Sequence, residues 1–301
     1  MHAGRPKGSY SVEGRAFEAP PPAPGLYVVA TPIGHLGDVS MRALATLAAA
    51  DIVACEDTRI TTRLLQRYAI DVPLTAYHEH NAARQRPKLL AALAEGKRVV
   101  LVSDAGTPLI SDPGYRLVHE ALDAGHAVVP VPGASALLAA LVVSGLPTDS
   151  FFFAGFLPPK SAARKKRLAA LAAVPGTLVF YESPHRTAAA LAEMAEVLGA
   201  GRQAAVAREL TKIHETVRRG TLGELAGVFA GEPEPKGEIV ILIAPPGAAV
   251  PPTEAEIDES LAAMLESMSA SEAAAALAAQ TGLPRRDLYE RVLALKKARE
   301  K

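Results

Sequence analysis

The segment from Val99 to Gly114 most constrains the fold, because an apolar run ends there in a loop of small, acidic and turn-forming residues. Residues 99–102 are all apolar, which is typical of a strand buried on both faces of a parallel sheet. Residues 103–108 favour neither helix nor strand, and Asp112 and Pro113 predict a helix that begins at about Gly114. In open α/β sheets, ligands bind just past the carboxyl end of a strand. The loop is therefore either part of a ligand site or a plain βα connection.

Three similar strand ends occur in the first half of the chain. Predicted strands at 26–31 and 51–56 end in the loops 32–38 and 56–59, and a predicted strand at 128–131 ends in residues 132–135, which open a helix. Repeated alternation of strand and helix predicts a parallel α/β domain over residues 25–146.

The second half is less regular and predicts a second α/β domain over residues 147–246, with a mixed sheet. Its three last strands, at 203–207, 215–219 and 238–243, have little predicted helix between them. Prolines between 245 and 252 mark a linker, and residues 253–301 predict a helical appendix. Residues 1–24 are rich in Gly, Ala and Pro, and we expect a flexible N-terminal tail there.

Composition excludes several classes of protein. The chain has 301 residues, of which 49% are hydrophobic, so a folded core is assured. Lys plus Arg equals Asp plus Glu at 32 each, so a nucleic-acid surface has to be a local patch. The single cysteine, Cys55, excludes an internal disulfide framework and is predicted to lie in the core. No apolar run approaches the roughly 18 residues of a membrane span, and no signal peptide is recognisable. We expect a cytoplasmic protein with no membrane association.

Common nucleotide motifs are absent, since neither G-x-x-x-x-G-K-[ST] nor a G-x-G-x-x-G after a predicted strand occurs. His78 and His80 could begin a metal site, but no third ligand is signalled nearby, and we predict no metal. A basic cluster at a predicted helix start suits either phosphate contacts or a solvated face; it comprises Lys160, Arg164, Lys165, Lys166 and Arg167. The appendix predicts either a helix-turn-helix or a plain helical hairpin.

A set of short motifs, in order along residues 26–243, resembles the tetrapyrrole methylase superfamily. More narrowly, it resembles the branch of 16S ribosomal RNA cytidine 2′-O-methyltransferases. The motifs are Thr31–Gly34 with Asp38, Glu56–Arg59, Ser103–Pro108, Ser111–Gly114, Pro132–Gly133, Gly155–Pro158, Phe180–Ser183 with His185–Arg186, Ala207–Lys212 with Glu215, and Lys236–Glu238. Members that modify tetrapyrroles carry G-x-G-P-G after the first strand, where this chain reads Thr-Pro-Ile-Gly. This departure favours the RNA branch.

The resemblance implies two α/β domains of the class III methyltransferase type with a cleft between them. It also implies bound S-adenosylmethionine, a homodimer, and 16S ribosomal RNA in the 30S subunit, near the decoding centre, as the substrate. The cofactor contacts that it implies are Pro32, Asp104, Ala105, Gly106, Ile110, Ser135, Ala136, Tyr181 and Ala207. The chemistry agrees, since Asp104 offers a carboxylate, Gly106 allows close backbone approach, and a helix N-terminus at Ser135 suits the cofactor carboxylate.

Transfer to a ribose hydroxyl needs in-line positioning and a base for the hydroxyl proton. The candidate catalytic residues are Glu56, Asp57, Lys212 and Glu215, with Glu182 and Glu209 as further carboxylates; Lys212 could stabilise the developing oxyanion or, with a lowered pKa, act as the base. Each carboxylate could instead form an ion pair with Arg59, Arg186 or Arg208. Two other functions stay open: a tetrapyrrole C-methyltransferase, and a non-catalytic RNA-binding factor of ribosome assembly.

Overall fold

The computed structural model describes residues 8–111, 114–247, 254–265, 268–281 and 283–299. The strands are β1 (Ser9–Val12), β2 (Arg15–Glu18), β3 (Gly25–Val29), β4 (Ile52–Cys55), β5 (Leu74–Ala76), β6 (Arg98–Leu101), β7 (Val128–Val131), β8 (Phe151–Phe156), β9 (Thr177–Glu182), β10 (Gln203–Arg208), β11 (Thr216–Thr221) and β12 (Ile239–Ile243). The α-helices are α1 (Met41–Ala48), α2 (Thr58–Arg67), α3 (Ala82–Ala94), α4 (Tyr115–Asp123), α5 (Ala136–Val143), α6 (Ser161–Leu171), α7 (Thr187–Leu198), α8 (Leu222–Gly231), α9 (Glu254–Met264), α10 (Ala270–Thr281) and α11 (Arg285–Arg299). Short 3₁₀ turns span Leu36–Asp38 and Pro184–Arg186.

The N-lobe, from β3 to α5, is built on a parallel sheet with strand order β5-β4-β6-β3-β7. Its central strands β3, β4 and β6 are buried on both faces, as the apolar run at 99–102 predicts for β6. Val100 and Val102 pack with α1 and α2 on one face, whereas Val99 and Leu101 pack with α3 and α4 on the other. Parallel strands end at one edge of the sheet, so the loops after β3, β4, β6 and β7 meet there.

The C-lobe, from β8 to β12, has a mixed sheet with strand order β11-β10-β12-β9-β8, in which only β8 and β9 are parallel. Helices α6, α7 and α8 cover one face of this sheet. The other face packs against α5 and against Ile33, which follows β3 in the N-lobe. The predicted pair of α/β domains with a cleft between them is confirmed, and one shared core joins the two lobes.

The N-terminal prediction is wrong from residue 8 onward, because β1 and β2 pair as an antiparallel hairpin. Tyr10 stacks on Phe17 at 5.4 Å between ring centroids and is buried against the N-lobe core. The Ser11 N–H donates to the Tyr68 carbonyl at 2.7 Å. The aromatic pair and this bond order a segment whose composition alone predicts a tail.

A second correction concerns the last strands, since α8 lies between β11 and β12 where little helix is predicted. A capping box starts this helix: Thr221 Oγ1 accepts the Glu224 N–H, and the Glu224 carboxylate accepts the Thr221 N–H. Two of four backbone donors at the helix start are thereby satisfied. The T-x-x-E pattern is present in the sequence, but the glycines of the segment disfavour a helix and therefore argued against predicting one.

Residues 246–301 form a separate compact unit, as expected for a helical appendix. Within it, α9, α10 and α11 pack around a small apolar core that includes Leu261, Leu277 and Leu288. An ion pair joins Arg291 to Asp258 at 2.5 Å. The predicted capping residues Asp112 and Pro113 lie outside the described residues; α4 begins after Gly114.

Candidate active site

A cavity of about 400 Å³ lies between the two lobes at the carboxyl edge of the parallel sheet. It is lined by Ile33, Asp104, Ala105, Gly106, Thr107, Ile110, Ser111, Ser135, Ala136, Phe156, Tyr181, Glu182, Ser183, Pro184, Gly237, Glu238, Ile239 and Val240. One wall is mostly loop from the N-lobe, and the other is the C-lobe sheet with the segment before β12. The volume is of the size that small-molecule sites have.

Backbone hydrogen bonds hold the loop after β6 in a fixed shape. Thr31 and Gly106 exchange two of them, at 2.9 and 3.0 Å, and Thr31 Oγ1 donates to the Ser103 carbonyl at 3.1 Å. Thr107 Oγ1 donates to the Ala134 carbonyl at 3.1 Å, which ties this loop to the start of α5. Gly106 has φ +78, and a Cβ there would approach the Ile33 side chain at 3.3 Å. This position therefore favours glycine, and its backbone faces the cavity.

Asp104 places a half-buried carboxylate at the cavity wall. Its Oδ1 accepts the Asp57 N–H at 2.9 Å, so the loops after β4 and β6 are joined. Burial raises the pKa of Asp104 above its ordinary value, the charge of Asp57 adds to the rise, and the Asp57 N–H bond opposes it. The ionised Asp104 carboxylate is thus poorly hydrated. A cationic ligand group beside it would offset the free-energy cost of burying that charge.

The start of α5 supplies unpaired donors to the cavity. Ser135 occupies the N-cap position, but its hydroxyl makes no capping bond. The first amides of a helix have no intrahelical partner and carry partial positive charge. This end of the cavity suits a carboxylate.

The C-lobe wall combines aromatic rings with a buried acid. Tyr181 makes edge contacts with Phe153 and Phe156, at 4.8 and 5.7 Å between ring centroids. Glu182 is only 2% exposed, lies 3.3 Å from Arg186 and accepts the Ser183 N–H at 2.8 Å. This wall offers a flat apolar surface beside one internally paired carboxylate.

The structure brings most of the predicted cofactor residues together around this cavity. Seven of the nine line it, namely Asp104, Ala105, Gly106, Ile110, Ser135, Ala136 and Tyr181. Pro32 precedes the lining residue Ile33, and Ala207 is fully buried in the core beneath that residue and Tyr181. Neither Pro32 nor Ala207 lines the cavity. Sequence reasoning missed Glu238, Ile239 and Val240, although Lys236–Glu238 carries part of the resemblance.

The predicted catalytic residues fall into two separate groups. Glu56 and Asp57 follow β4, and Asp57 caps α2 and pairs with Arg59 at 2.5 Å. These bonds, chiefly from the Arg59 side chain, lower the pKa of Asp57 to about 2, so it is a weak base. Burial and the neighbouring charges of Asp104 and Asp57 raise the pKa of Glu56, but Glu56 lines a different surface depression, with Arg86.

The second group surrounds Lys212 in the loop after β10. Its Nζ lies 2.8 Å from Glu209 Oε1 and 3.3 Å from Glu238 Oε2, and Glu238 lines the cavity. Glu209 therefore pairs with Lys212, whereas Arg208, one of the three arginines considered as carboxylate partners, donates to backbone carbonyls. Glu215 accepts the Thr211 N–H at 2.6 Å and shapes the same turn.

Electrostatics keep Lys212 charged. Burial favours its neutral form, but hydrogen bonds and charges from Glu209 and Glu238 outweigh burial, and the net effect raises its pKa. Burial likewise opposes ionisation of Glu209, yet Lys212 and the Glu238 N–H bring its pKa below the ordinary value. The hypothesis of a lysine with a lowered pKa is wrong for this site, and Lys212 acts as a cation.

Other predicted features are placed away from this cavity. Arg164 is buried and pairs with Glu193 at 2.6 Å, and Lys165 pairs with Glu196, so the basic cluster leaves only Lys160, Lys166 and Arg167 exposed and without an ion pair to a described residue. Cys55 is fully buried in the core, as predicted. The rings of His78 and His80 lie 6.1 Å apart, and the described residues contain no group of three or more metal-binding side chains. No described helix is long and apolar enough to cross a membrane.

Two family models and several curated relatives match this chain. Residues 25–226 match the family described as tetrapyrrole (corrin/porphyrin) methylases, and residues 251–296 match the RsmI C-terminal HTH domain. The chain is 57% identical to "Ribosomal RNA small subunit methyltransferase I" of Mesorhizobium japonicum, over 92% of this chain and 94% of the relative. It is 47% identical to the protein of that name from Pseudomonas aeruginosa, over 89% and 96%.

Two solved structures share the fold at low sequence identity. A cobalamin biosynthetic enzyme, cobalt precorrin-4 methyltransferase, aligns with a TM-score of 0.56 and 20% identity, over 73% of this chain and 94% of that one. Uroporphyrin-III C-methyltransferase of Thermus thermophilus, complexed with S-adenosylhomocysteine, aligns with a TM-score of 0.51 and 21% identity, over 72% and 96%. These likenesses concern the fold.

Proposed function

The chain belongs to the tetrapyrrole methylases, in the branch of the small-subunit ribosomal RNA methyltransferases I, and we propose that it methylates a cytidine ribose at O2′ in 16S ribosomal RNA with S-adenosylmethionine. The observation that carries the proposal is the cavity between the lobes, with a carboxylate on one loop, a helix N-terminus on another and an aromatic wall opposite. The assignment to cytidine O2′ and to the decoding centre rests on the motif resemblance.

The residues around the cavity fit the cofactor's chemical groups. The α5 N-terminus with Ser135 would hold its carboxylate, and Asp104 would accept a hydrogen bond from its ammonium or ribose hydroxyls. Ile110, Val240 and the Tyr181 ring would cover its adenine. When bound, the cofactor supplies an electrophilic methyl group on a positively charged sulfur.

The chain's own contribution to the reaction is to place the hydroxyl and manage its charge. The ribose O2′ would give up its hydroxyl proton as it accepts the methyl group, and side chains beside the cavity would take that proton and balance the charge on the oxygen. We assign the proton to the Glu238 carboxylate, which is exposed and lines the cavity, and the stabilisation of the developing oxyanion to Lys212. Glu209 holds the lysine in place, since its Oε1 accepts a hydrogen bond from the Lys212 ammonium at 2.8 Å.

Methyl transfer to defined acceptors tests the function. The acceptors are 30S subunits that lack the modification, free 16S RNA and a porphyrinogen, each with methyl-labelled S-adenosylmethionine and digestion of the RNA to nucleosides. We expect label in 2′-O-methylcytidine from the ribosomal acceptors alone. Label in the porphyrinogen would favour a tetrapyrrole C-methyltransferase, and cofactor binding without any transfer would favour an assembly factor.

Removing the C-terminal unit should separate RNA binding from cofactor binding. Ending the chain at Pro245 keeps every residue that lines the cavity. We expect the S-adenosylmethionine dissociation constant to stay at the full-length value while the KM for 30S subunits rises roughly tenfold, because remote phosphate contacts contribute binding and not chemistry. Equal KM values for the full-length and the shortened protein would show that residues 1–245 alone recognise the RNA.

We propose a homodimer that forms through an apolar surface of α5 and the edge strand β8. Leu138 and Val142 lie on the exposed side of α5, where Val142 is 73% exposed, and Phe151, Phe152 and Phe156 are exposed along β8. Exposed apolar side chains in such number mark an interaction surface. Helix α5 packs on the sheet whose edge strand is β8, and we propose that both elements contribute to the interface.

The double substitution Leu138→Asp with Val142→Asp should weaken this dimer. Both side chains are exposed in one chain, so the fold tolerates the change, whereas two carboxylates at an apolar interface are poorly solvated. We expect the dimer dissociation constant from sedimentation equilibrium to rise at least about tenfold. Leu122→Asp, on the exposed side of α4, is the matched control, and an equal effect of both changes would place the interface elsewhere.

We also propose that the protein acts in the cytoplasm, where ribosomal subunits are assembled. Its single cysteine is free and buried, so the fold does not depend on an oxidising compartment.

A further inference from the structure

A groove of about 990 Å³ lies next to the cofactor cavity, and of its lining residues only Lys212 and Glu209 have a role in the function proposed so far. We call it the hairpin groove. It is lined by Ser11, Val12, Glu13, Gly34, His35, Leu36, Gly37, Val39, Met41, Leu44, Arg67, Tyr68, Glu209, Thr211, Lys212, Ile213 and His214. Three walls form it: the N-terminal hairpin, the loop after β3 with the end of α2, and the loop after β10.

Hydrogen bonds fix the hairpin against the rest of the groove. The Ser11 N–H donates to the Tyr68 carbonyl at 2.7 Å, and the Tyr68 hydroxyl donates to the Leu36 carbonyl at 2.7 Å. The hairpin precedes residue 25, where the match to the methylase family begins. This wall is therefore an addition to the part of the chain that matches the family.

The groove and the cofactor cavity share a wall. Ile33 lines the cavity and Gly34 lines the groove, so one loop separates them. A Cβ at Gly34 would clash with Lys212 and lie 2.8 Å from Thr211 Oγ1, which shows how closely the two lobes approach there. Lys212 lines the groove and pairs with Glu238, which lines the cavity. A ligand in the groove would thus adjoin the charged cluster assigned to the reacting hydroxyl.

The surface chemistry of the groove suits an unstacked nucleotide. Leu36, Met41 and Ile213 are exposed within it, and Ile213 is 98% exposed. Imidazole rings at His35 and His214 offer further flat surface, and unstacked bases of single-stranded RNA bind to such rings and to apolar side chains.

The charges in the groove leave one cation available for a phosphate. Arg67 is exposed and forms no ion pair with a described residue, whereas Lys212 is occupied by Glu209 and Glu238. Glu209 is neutralised by that pairing, and Glu13 is the remaining acid, at the hairpin turn. A guanidinium without a carboxylate partner is suited to a backbone phosphate.

We propose that the hairpin groove binds the target nucleotide of single-stranded RNA. Its base rests on Leu36, Met41 and Ile213, and its phosphate contacts Arg67. The ribose then lies at the shared wall, beside Lys212 and the cofactor cavity. This inference rests on the proposed function and adds where, and with which residues, the RNA is held.

Matched pairs of variants test the groove. Arg67→Ala removes the phosphate contact, and Arg63→Ala, one turn earlier on the same helix and also exposed, is its control. Ile213→Ser removes the base contact, and Val228→Ser, an exposed apolar side chain on α8, is its control. The first readout is binding of a fluorescein-labelled single-stranded RNA across a salt series, and the second is KM for 30S subunits.

We expect Arg67→Ala to weaken RNA binding roughly tenfold and to raise KM by a similar factor. The slope of the logarithm of the binding constant against the logarithm of the salt concentration should fall by about 0.7, the value for one phosphate contact on a single strand. Ile213→Ser should raise both constants roughly fivefold with little change in slope. The S-adenosylmethionine dissociation constant should stay unchanged in all four proteins.

The two readouts separate the groove from the function. If Arg67→Ala and Ile213→Ser match their controls in RNA binding and in KM, the inference is overturned while methyl transfer by the unsubstituted protein stands. If the unsubstituted protein transfers no methyl group to RNA, the proposed function fails. The RNA-binding measurements then test on their own whether the hairpin groove binds RNA. A defect that appears in oligomeric state instead of RNA binding would assign the groove to a second copy and overturn the proposal.

Discussion

Replacing Lys212 by methionine is expected to lower kcat for methyl transfer by roughly 10²–10³-fold, the loss typical of removing one donor to a developing oxyanion. The ammonium lies between Glu209 and Glu238 and stays charged because these carboxylates raise its pKa despite burial. Methionine keeps the first two methylene groups of the side chain, including the Cγ next to Gly34, so the contact between the lobes is retained. The S-adenosylmethionine dissociation constant should change little, because Lys212 lines the groove and not the cavity.

The control is Lys166→Met, an exposed lysine on α6, which covers the far face of the C-lobe sheet. Lys212→Arg keeps the positive charge and should recover part of kcat. A purely structural lysine would instead lower the thermal midpoint of Lys212→Met together with its activity. An unchanged kcat in a folded Lys212→Met protein would remove this residue from the reaction.

Local sequence patterns predicted the N-lobe well because its structure is local. Each apolar run forms a strand, and each following loop reaches the same edge of the sheet since all the strands are parallel. Asp104, Gly106 and Ser135 could therefore be predicted to meet from their positions after two different strands. That argument needs only the direction of the chain.

The opposite wall of the cavity could not be predicted in this way, because it depends on pairing between distant segments. Glu238 reaches Lys212 because β10 and β12 are antiparallel neighbours, with Arg208 opposite Ile239. Thirty residues, which include β11 and α8, separate these strands, and nothing in the sequence of either strand specifies its partner.

The N-terminal hairpin was missed although its turn carries a sequence signal. Glu13 and Gly14 both have positive φ, at 50° and 80°, as in the two-residue turns that join tight hairpins. The flanking Gly, Ala and Pro residues dominated the composition and suggested a tail. Residues 8–18 form an ordered hairpin because Tyr10 and Ser11 contact the N-lobe. These tertiary contacts cannot be deduced from a local sequence pattern.

Replacing Asp104 by asparagine is expected to raise the S-adenosylmethionine dissociation constant roughly 10- to 100-fold while the protein stays folded, because a buried hydrogen bond to a charged group is worth about 1.5–3 kcal/mol. Asparagine Oδ1 can still accept the Asp57 N–H, so the link between the loops after β4 and β6 persists. Asp104→Ala would also leave that N–H without a partner and should lower stability as well as affinity.

Calorimetric titration of the cofactor, with thermal unfolding in parallel, separates these effects. Asp71→Asn, which removes one exposed carboxylate elsewhere on the N-lobe, is the matched control. An Asp104→Asn protein with the affinity of the control would show that Asp104 joins the two loops but does not contact the cofactor.

The pH dependence provides a second and independent test of Asp104, because binding and stability should change in opposite directions. Burial, aided by the charge of Asp57, raises its pKa in the folded protein. As pH falls, Asp104 therefore takes up a proton sooner than an ordinary aspartate, and the cofactor loses its anionic partner, so affinity declines. The folded state binds this proton more readily than the unfolded state does, so the Asp104 contribution to the free energy of unfolding rises over the same range. Asparagine cannot titrate, and Asp104→Asn should flatten both trends relative to Asp71→Asn. An affinity that still declines as pH falls in the Asp104→Asn variant would show that Asp104 is not the group whose protonation weakens cofactor binding.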